Sequence, residues 1–222
     1  SSCSSSNNSK QQQAATNSLS EIIEIRRHIH TYPELSFEEY KTSEYIASKL
    51  KKYQIPFTTG IVKTGIVGII EGKNPSKKVI ALRADMDALP ITEANNCEYK
   101  SKNIGVMHAC GHDVHSASLL SAAKILNELK NEFEGTIKLF FQPGEEKLPG
   151  GASLMIQEGV LENPTTQTMF GQHVFPTMEA GKVGFRNGMY MASTDEIYIC
   201  VKGKGGHAAM PKDYNSQLLI AS

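Results

Sequence analysis

The run Lys78-Val79-Ile80-Ala81-Leu82-Arg83 decides the fold class. It is apolar and β-branched, only as long as a strand, and bounded by Asn and Pro before it and Pro after it, which is how a buried strand reads. Working outward, Gly65–Glu71 (GIVGIIE) is a second such run, and His115–Leu129 carries Leu119, Ala122, Ala123, Leu126 and Leu129 at helical spacing. Thr136–Phe141 reads as a third strand, Gly151–Glu158 as a short helix and Thr168–Val174 as a further strand. Toward the amino terminus, Leu19, Ile22, Ile23 and Ile29 fit one helical face, and Ser36 with Glu39 form a capping-box pair opening a helix with Tyr40, Ile46 and Leu50 as its apolar stripe. Strands alternating with helices at this spacing predict an α/β fold with a mostly parallel central sheet flanked by helices. In such sheets functional groups collect at the carboxyl ends of the strands.

Composition narrows the function classes. The 222 residues hold 23 basic and 23 acidic side chains, so no cationic excess points to nucleic acid or anionic membrane as a partner. No window approaches the roughly 18 apolar residues of a membrane span. Cys3, Cys97, Cys110 and Cys200 show no close pairing, which predicts reduced thiols and no disulfide scaffold. Residues 1–18 are mostly Ser, Asn and Gln, too polar to offset the entropy of ordering, and are expected to be a disordered tail. The chain begins without Met and reads as a processed or partial product; the cytoplasm is the default location, with a lipid-modified Cys3 behind a removed signal as the alternative. Residues 19–191 read as one domain. After Gly188 the texture changes to the alternating Asp195–Lys202 (DEIYICVK) and the Gly-rich 203–206, so 192–222 reads as the beginning of a second.

The densest chemistry lies in His108-Ala109-Cys110-Gly111-His112-Asp113-Val114-His115, between a loop and a helix start. Thiolate and imidazole suit zinc and similar borderline ions, and Gly111 allows a turn tight enough to aim Cys110 and His112 at one point. A helix-capping loop with incidental histidines is the plain alternative; His108 and His115 read as supporting or structural groups. Phe140-Phe141-Gln142-Pro143-Gly144-Glu145-Glu146 delivers two carboxylates to a strand end, where one can coordinate a metal while the other takes a proton from water. Gly171-Gln172-His173-Val174 closes another strand with an imidazole. Asp85 and Asp87 in Arg83–Pro90 (RADMDALP) also end a strand, where carboxylates can orient ligand histidines from behind; Asp113 is assigned the same role. A solvated turn is the alternative for the first two. Gly203–Pro211 (GKGGHAAMP) lacks the Walker spacing of a phosphate loop, and His207 on its Gly-rich turn is placed to reach a substrate.

In chain order IRRHIHTYPELSFEE, RADMDALP, HACGHD, QPGEE, GQHV and GKGGHAAMP resemble the aminoacylase-like metallopeptidases, across nearly everything from Ser20 to Ser222. The similarity is to the amidohydrolase branch with hippurate hydrolases, N-acyl-amino-acid amidohydrolases and indole-acetyl-amino-acid hydrolases. It implies a zinc-peptidase-like catalytic domain over 19–191 and the start of an α+β lid domain, commonly a dimerisation domain, over 192–222. It also implies a truncated chain, because the family's chains run on and supply a further His ligand. By resemblance the cofactors are two divalent ions, zinc or manganese. Cys110 bridges them, His112, Glu146 and His173 are further ligands, Glu145 is the general base, and His207 binds substrate and stabilises the oxyanion. The implied substrate is a small N-acyl amino acid or related N-acyl amine, hydrolysed at its linear amide, and the implied partner is a second copy through the lid. One departure is Lys212-Asp213-Tyr214, where the branch usually has His followed by Asp-Pro. Two other readings stay open: a metal-binding piece without catalysis, and a thiol-dependent hydrolase with Cys110 as nucleophile and a nearby His as base.

Overall fold

The α-helices and strands among the described residues are α1 (Cys3–Thr31), α2 (Tyr40–Lys52), β1 (Phe57–Ile61), β2 (Gly65–Glu71), β3 (Val79–Asp85), α3 (His112–Glu128), β4 (Thr136–Gln142), α4 (Gly151–Gln157) and β5 (Thr168–Gly171). The computed structural model describes residues 3–189, 191, 197 and 199–203; His207 and the rest of 204–222 lie outside the described residues. The chain divides into two compact units, Ser1–Pro176 and Thr177–Ser222. The last strand of the sheet already ends at Gly171.

The sheet order is β1-β2-β4-β3-β5. β3 is parallel to both β4 and β5, whereas β2 is antiparallel to β1 and β4. Four strands therefore share one direction and β2 alone opposes them. The reason is connection length: Val62–Thr64 is too short for the crossover that a parallel neighbour needs, while α3 supplies that crossover between β3 and β4. β1 (FTTGI) escapes a sequence reading because it is a mostly exposed edge strand without an apolar run.

β4 is buried at every position. Its Ile137, Leu139 and Phe141 join Ile25 and Ile29 of α1, Ile46 and Leu50 of α2, and Leu120 of α3 in the main core. Phe140 faces the other way, with Ala81, Val62 and Met155 of α4. The period-2 alternation of the strand thus divides the two cores, with helices on both faces. Lys138 shares the side of Phe140 and donates its ammonium to the carbonyls of Val160, Glu162 and Pro164 at 2.6, 2.9 and 3.0 Å.

Three local readings are corrected. α1 starts at Cys3, so the stretch expected to be a disordered tail is helical. No Gly or Pro occurs before Pro33, and once the Ile-bearing half is docked each further residue extends the helix without a new nucleation cost. Its buried stripe is Ile25 and Ile29 with Ile22 partly buried beside them, while Leu19 and Ile23 face outward. The capping box does not form: Ser36 and Glu39 bond to residues of the candidate site, and the Glu34 carboxylate accepts the first-turn N–H groups of Lys41 and Thr42 at 3.2 and 2.8 Å instead.

Glu21 ties α1 to its neighbours through Lys52 at 2.7 Å and Lys124 at 2.8 Å. These hydrogen bonds, that of Lys124 foremost, hold its carboxyl at a pKa of about 2. A lowered carboxyl pKa stabilises the fold above the unfolded value of 4.5, and that contribution is lost as pH falls through the folded value. Glu21→Gln is expected to cost about 1 kcal/mol at pH 7. Denaturant melts should show the difference from wild type constant down to about pH 4.5 and shrinking below it.

Candidate metal centre

Because β3, β4 and β5 run the same way, their carboxyl ends carry Asp85, Glu145–Glu146 and His173 to one rim, and the start of α3 brings Cys110 and His112 to it. Gly111 makes the approach feasible. It caps α3 with φ +86°, and a Cβ there would collide with the Val174 side chain. Only glycine meets both demands without strain.

His112 sits at the middle of the arrangement, 1 % exposed. Its Nδ1 donates to the Asp87 carbonyl at 2.8 Å and lies 3.2 Å from Asp87 Oδ1, which leaves the lone pair on Nε2. Among the described residues that buried Nε2 has no hydrogen-bond partner, and neither has Glu146 Oε1, 3.7 Å away. Glu145 Oε2 lies at 4.0 Å and Asp85 Oδ2 at 3.6 Å. On the other side, Cys110 Sγ is 3.4 Å from His173 Nε2, whose Nδ1 donates to the Val174 carbonyl at 2.8 Å. Donor atoms of Cys110, His112 and His173 all lie within 4.8 Å of one another, as do those of His112, Glu145 and Glu146. Thiol, imidazole and carboxylate donors with unpartnered buried lone pairs fit a borderline divalent cation.

The electrostatics point the same way. Burial opposes the charged form of His112, yet Asp87, Asp85 and Glu146 outweigh it and raise its pKa, so the field at Nε2 favours a cation. Burial, then Glu146, pushes the Cys110 thiol up to about 12 in the absence of such a charge. Burial and the charge of Glu146 hold Glu145 above the usual carboxylate range. For Asp85 burial is outweighed by the His115 hydrogen bond and the Arg83 and His112 charges, and its carboxyl stays at about 2.

Asp87 lies against His112 and Asp85 against His115. Asp87 also accepts Ser36 Oγ at 2.6 Å and the Glu146 N–H at 2.9 Å, and Asp85 accepts His115 Nδ1 at 2.6 Å. Asp113 points elsewhere. Its carboxylate meets Arg26 Nε and His30 Nδ1, both at 2.8 Å, because successive helical positions point about 100° apart and Asp113 faces α1 while His112 faces the rim. His30 in turn reaches Glu93 at 3.1 Å. Sequence reasoning missed Glu39, which accepts the Gly144 N–H at 2.8 Å and Thr64 Oγ1 at 2.7 Å and so braces the turn before Glu145. Its only local signal was a carboxylate in a capping position.

The model of peptidase family M20/M25/M40 matches residues 81–218, from β3 through the whole cluster. The chain belongs to this family. This M20/M25/M40 member is 44 % identical over 191 residues to the N-acyl-L-amino acid amidohydrolase of Geobacillus stearothermophilus, covering 86 % of this chain and 51 % of that protein. It is 45 % identical over 202 residues to the hippurate hydrolase of Campylobacter jejuni, covering 91 % and 52 %. A Bacillus subtilis structure described as a dinuclear metal binding peptidase from the M20 family superposes with TM-score 0.69 at 40 % identity, covering 77 % of this chain and 46 % of that one. The chain spans about half the length of the curated relatives it matches. The resemblance read from the HACGHD and QPGEE motifs is borne out, as is the α/β fold class. Among the described residues no helix is long and apolar enough to cross a membrane.

Proposed function

We propose that this M20/M25/M40 protein is a metal-dependent amidohydrolase that cleaves the linear amide of N-acyl amino acids or related N-acyl amines. The observation that carries the reading is His112, which belongs both to the Cys110–His173 group and to the Glu145–Glu146 group and whose buried Nε2 has no hydrogen-bond partner among the described residues. Cys110, His112, Glu146 and His173 are the residues that would hold two divalent ions, zinc or manganese. The names of the two relatives support the substrate class. When bound, the ions lower the pKa of a water from about 15.7 toward 7 and polarise the scissile carbonyl.

The chain's own residues do the rest. Glu145, half exposed at the rim, takes the proton of the attacking water and returns it to the leaving nitrogen. Its raised pKa suits a group that must hold a proton between those two events. Asp87 fixes the tautomer of His112 and, by accepting the Glu146 N–H, the position of the carboxylate turn. In this reading His207 binds the substrate and stabilises the oxyanion, and residues 192–222 begin a lid through which two copies pair. The free thiols of Cys97, Cys110 and Cys200 suit a reducing compartment such as the cytoplasm.

The test is metal content by mass spectrometry together with hydrolysis of a panel of N-acetyl and N-benzoyl amino acids by the purified protein. Two ions per chain and turnover of part of the panel are expected. A metal-free protein that neither takes up added zinc or manganese nor hydrolyses the panel overturns the reading.

A further inference from the structure

His115 is not among the proposed ligands, yet both nitrogens of its buried ring are engaged at the rim. Nδ1 donates to Asp85 Oδ1 at 2.6 Å, and Nε2 accepts the backbone N–H of Val174 at 2.9 Å. A backbone donor aimed at Nε2 requires the lone pair there and places the proton on Nδ1, so the two bonds fix one tautomer. Asp85 ends β3 and is itself paired with Arg83 at 2.7 Å, which makes it a firm base for the ring.

The segment held by this bond has little else to hold it. β5 ends at Gly171, its four residues are exposed, and the following Gln172 and His173 are exposed as well. Both backbone groups of Val174 are engaged, its N–H by His115 Nε2 from α3 and its C=O by Nδ1 of the adjacent His173. The rings of His115 and His173 pack edge to face with centroids 4.6 Å apart, and the Val174 side chain covers the space above Gly111. The direction of His173 Nε2 toward Cys110 therefore follows from where the Val174 peptide is held.

We infer that His115 is a positioning residue: through the Val174 N–H it sets the exposed segment after β5 so that His173 faces Cys110 and not solvent. The inference rests on the reading of His173 as a metal ligand. Its energetic scale is that of groups that orient ligands from behind, about ten- to a hundred-fold in metal affinity.

The test is zinc affinity, measured by competition with a chelating dye, for wild type, His115→Ala, His173→Ala, the double variant, His115→Gln and His115→Asn. Thermal unfolding checks that each is folded. His173→Ala must weaken zinc binding; if it does not, the ligand reading fails, and the inference with it. With that loss in hand, His115→Ala is expected to weaken binding ten- to a hundred-fold, and the double variant to bind no more weakly than His173→Ala. A general loss of stability would instead give multiplying effects. His115→Gln, whose Oε1 can accept the Val174 N–H, should retain most of the affinity, and His115→Asn, too short to reach it, should behave like His115→Ala. Wild-type affinity in His115→Ala, or multiplying losses in the double variant, overturns the inference. If His115→Ala does not fold, equal affinities of the Gln and Asn variants overturn it, and a gap between them sustains it.

Discussion

Glu145→Gln is expected to lower turnover on the order of a hundred- to ten-thousand-fold while leaving the metal content of the protein unchanged. The substitution keeps the shape of the side chain and removes its capacity to accept and return a proton. The surrounding turn should not move, because the N–H groups on either side of residue 145 are held by other carboxylates, Gly144 by Glu39 at 2.8 Å and Glu146 by Asp87 at 2.9 Å. The metal should remain because the neighbouring carboxylate is the better placed donor. Glu146 Oε1 is buried and 3.7 Å from His112 Nε2, whereas Glu145 is 41 % exposed with its oxygen at 4.0 Å. Rates against N-acyl amino acids beside metal analysis check both halves. Near wild-type rates remove the proton-transfer role; loss of metal together with rate makes Glu145 a ligand.

Removal of metal by a chelator is expected to abolish hydrolysis and lower the thermal midpoint by roughly 5–10 °C, both restored by zinc or manganese. The midpoint shift follows from linkage. An ion present at about 100 times its dissociation constant stabilises the fold by about 2.7 kcal/mol, and each kcal/mol moves the midpoint of a domain this size by about 2–4 °C. The activity loss separates the metal reading from a thiol hydrolase. Cys110 and His173 stand 3.4 Å apart, as a nucleophile and its base would. Burial and the adjacent carboxylates, however, push that thiol up to about 12, which suppresses the thiolate unless a cation joins the cluster. A protein that hydrolyses amides unchanged after complete chelation restores the thiol reading.

Much of this centre was legible because its chemistry is local in sequence. Cys110, Gly111 and His112 are contiguous, and a glycine between two donors is already a geometric statement, made concrete by φ +86°. Glu145 and Glu146 follow an apolar run that can only be a buried strand, and β4 is buried throughout. Groups joined only in space were not legible. Glu39 braces a turn 105 residues away, and no spacing rule connects the two. Asp113 was misjudged because adjacency along a helix places neighbours on different faces. β1 was missed because an exposed edge strand need not be apolar, and the polar start of α1 was misread because helix extension there depends on a docked segment further along.

The sequence by itself determined the α/β class, the strand ends at which polar side chains accumulate, and the residue types able to bind a borderline cation, because each depends on hydrophobic periodicity or on neighbours in the chain. Only the tertiary structure decided that β2 opposes the other strands, that His112 presents a lone pair with no partner among the described residues, and that His115 reaches Val174 across the gap between α3 and β5. Those are distances between remote backbone segments. They are set when the faces of one sheet are covered, and no local pattern encodes them.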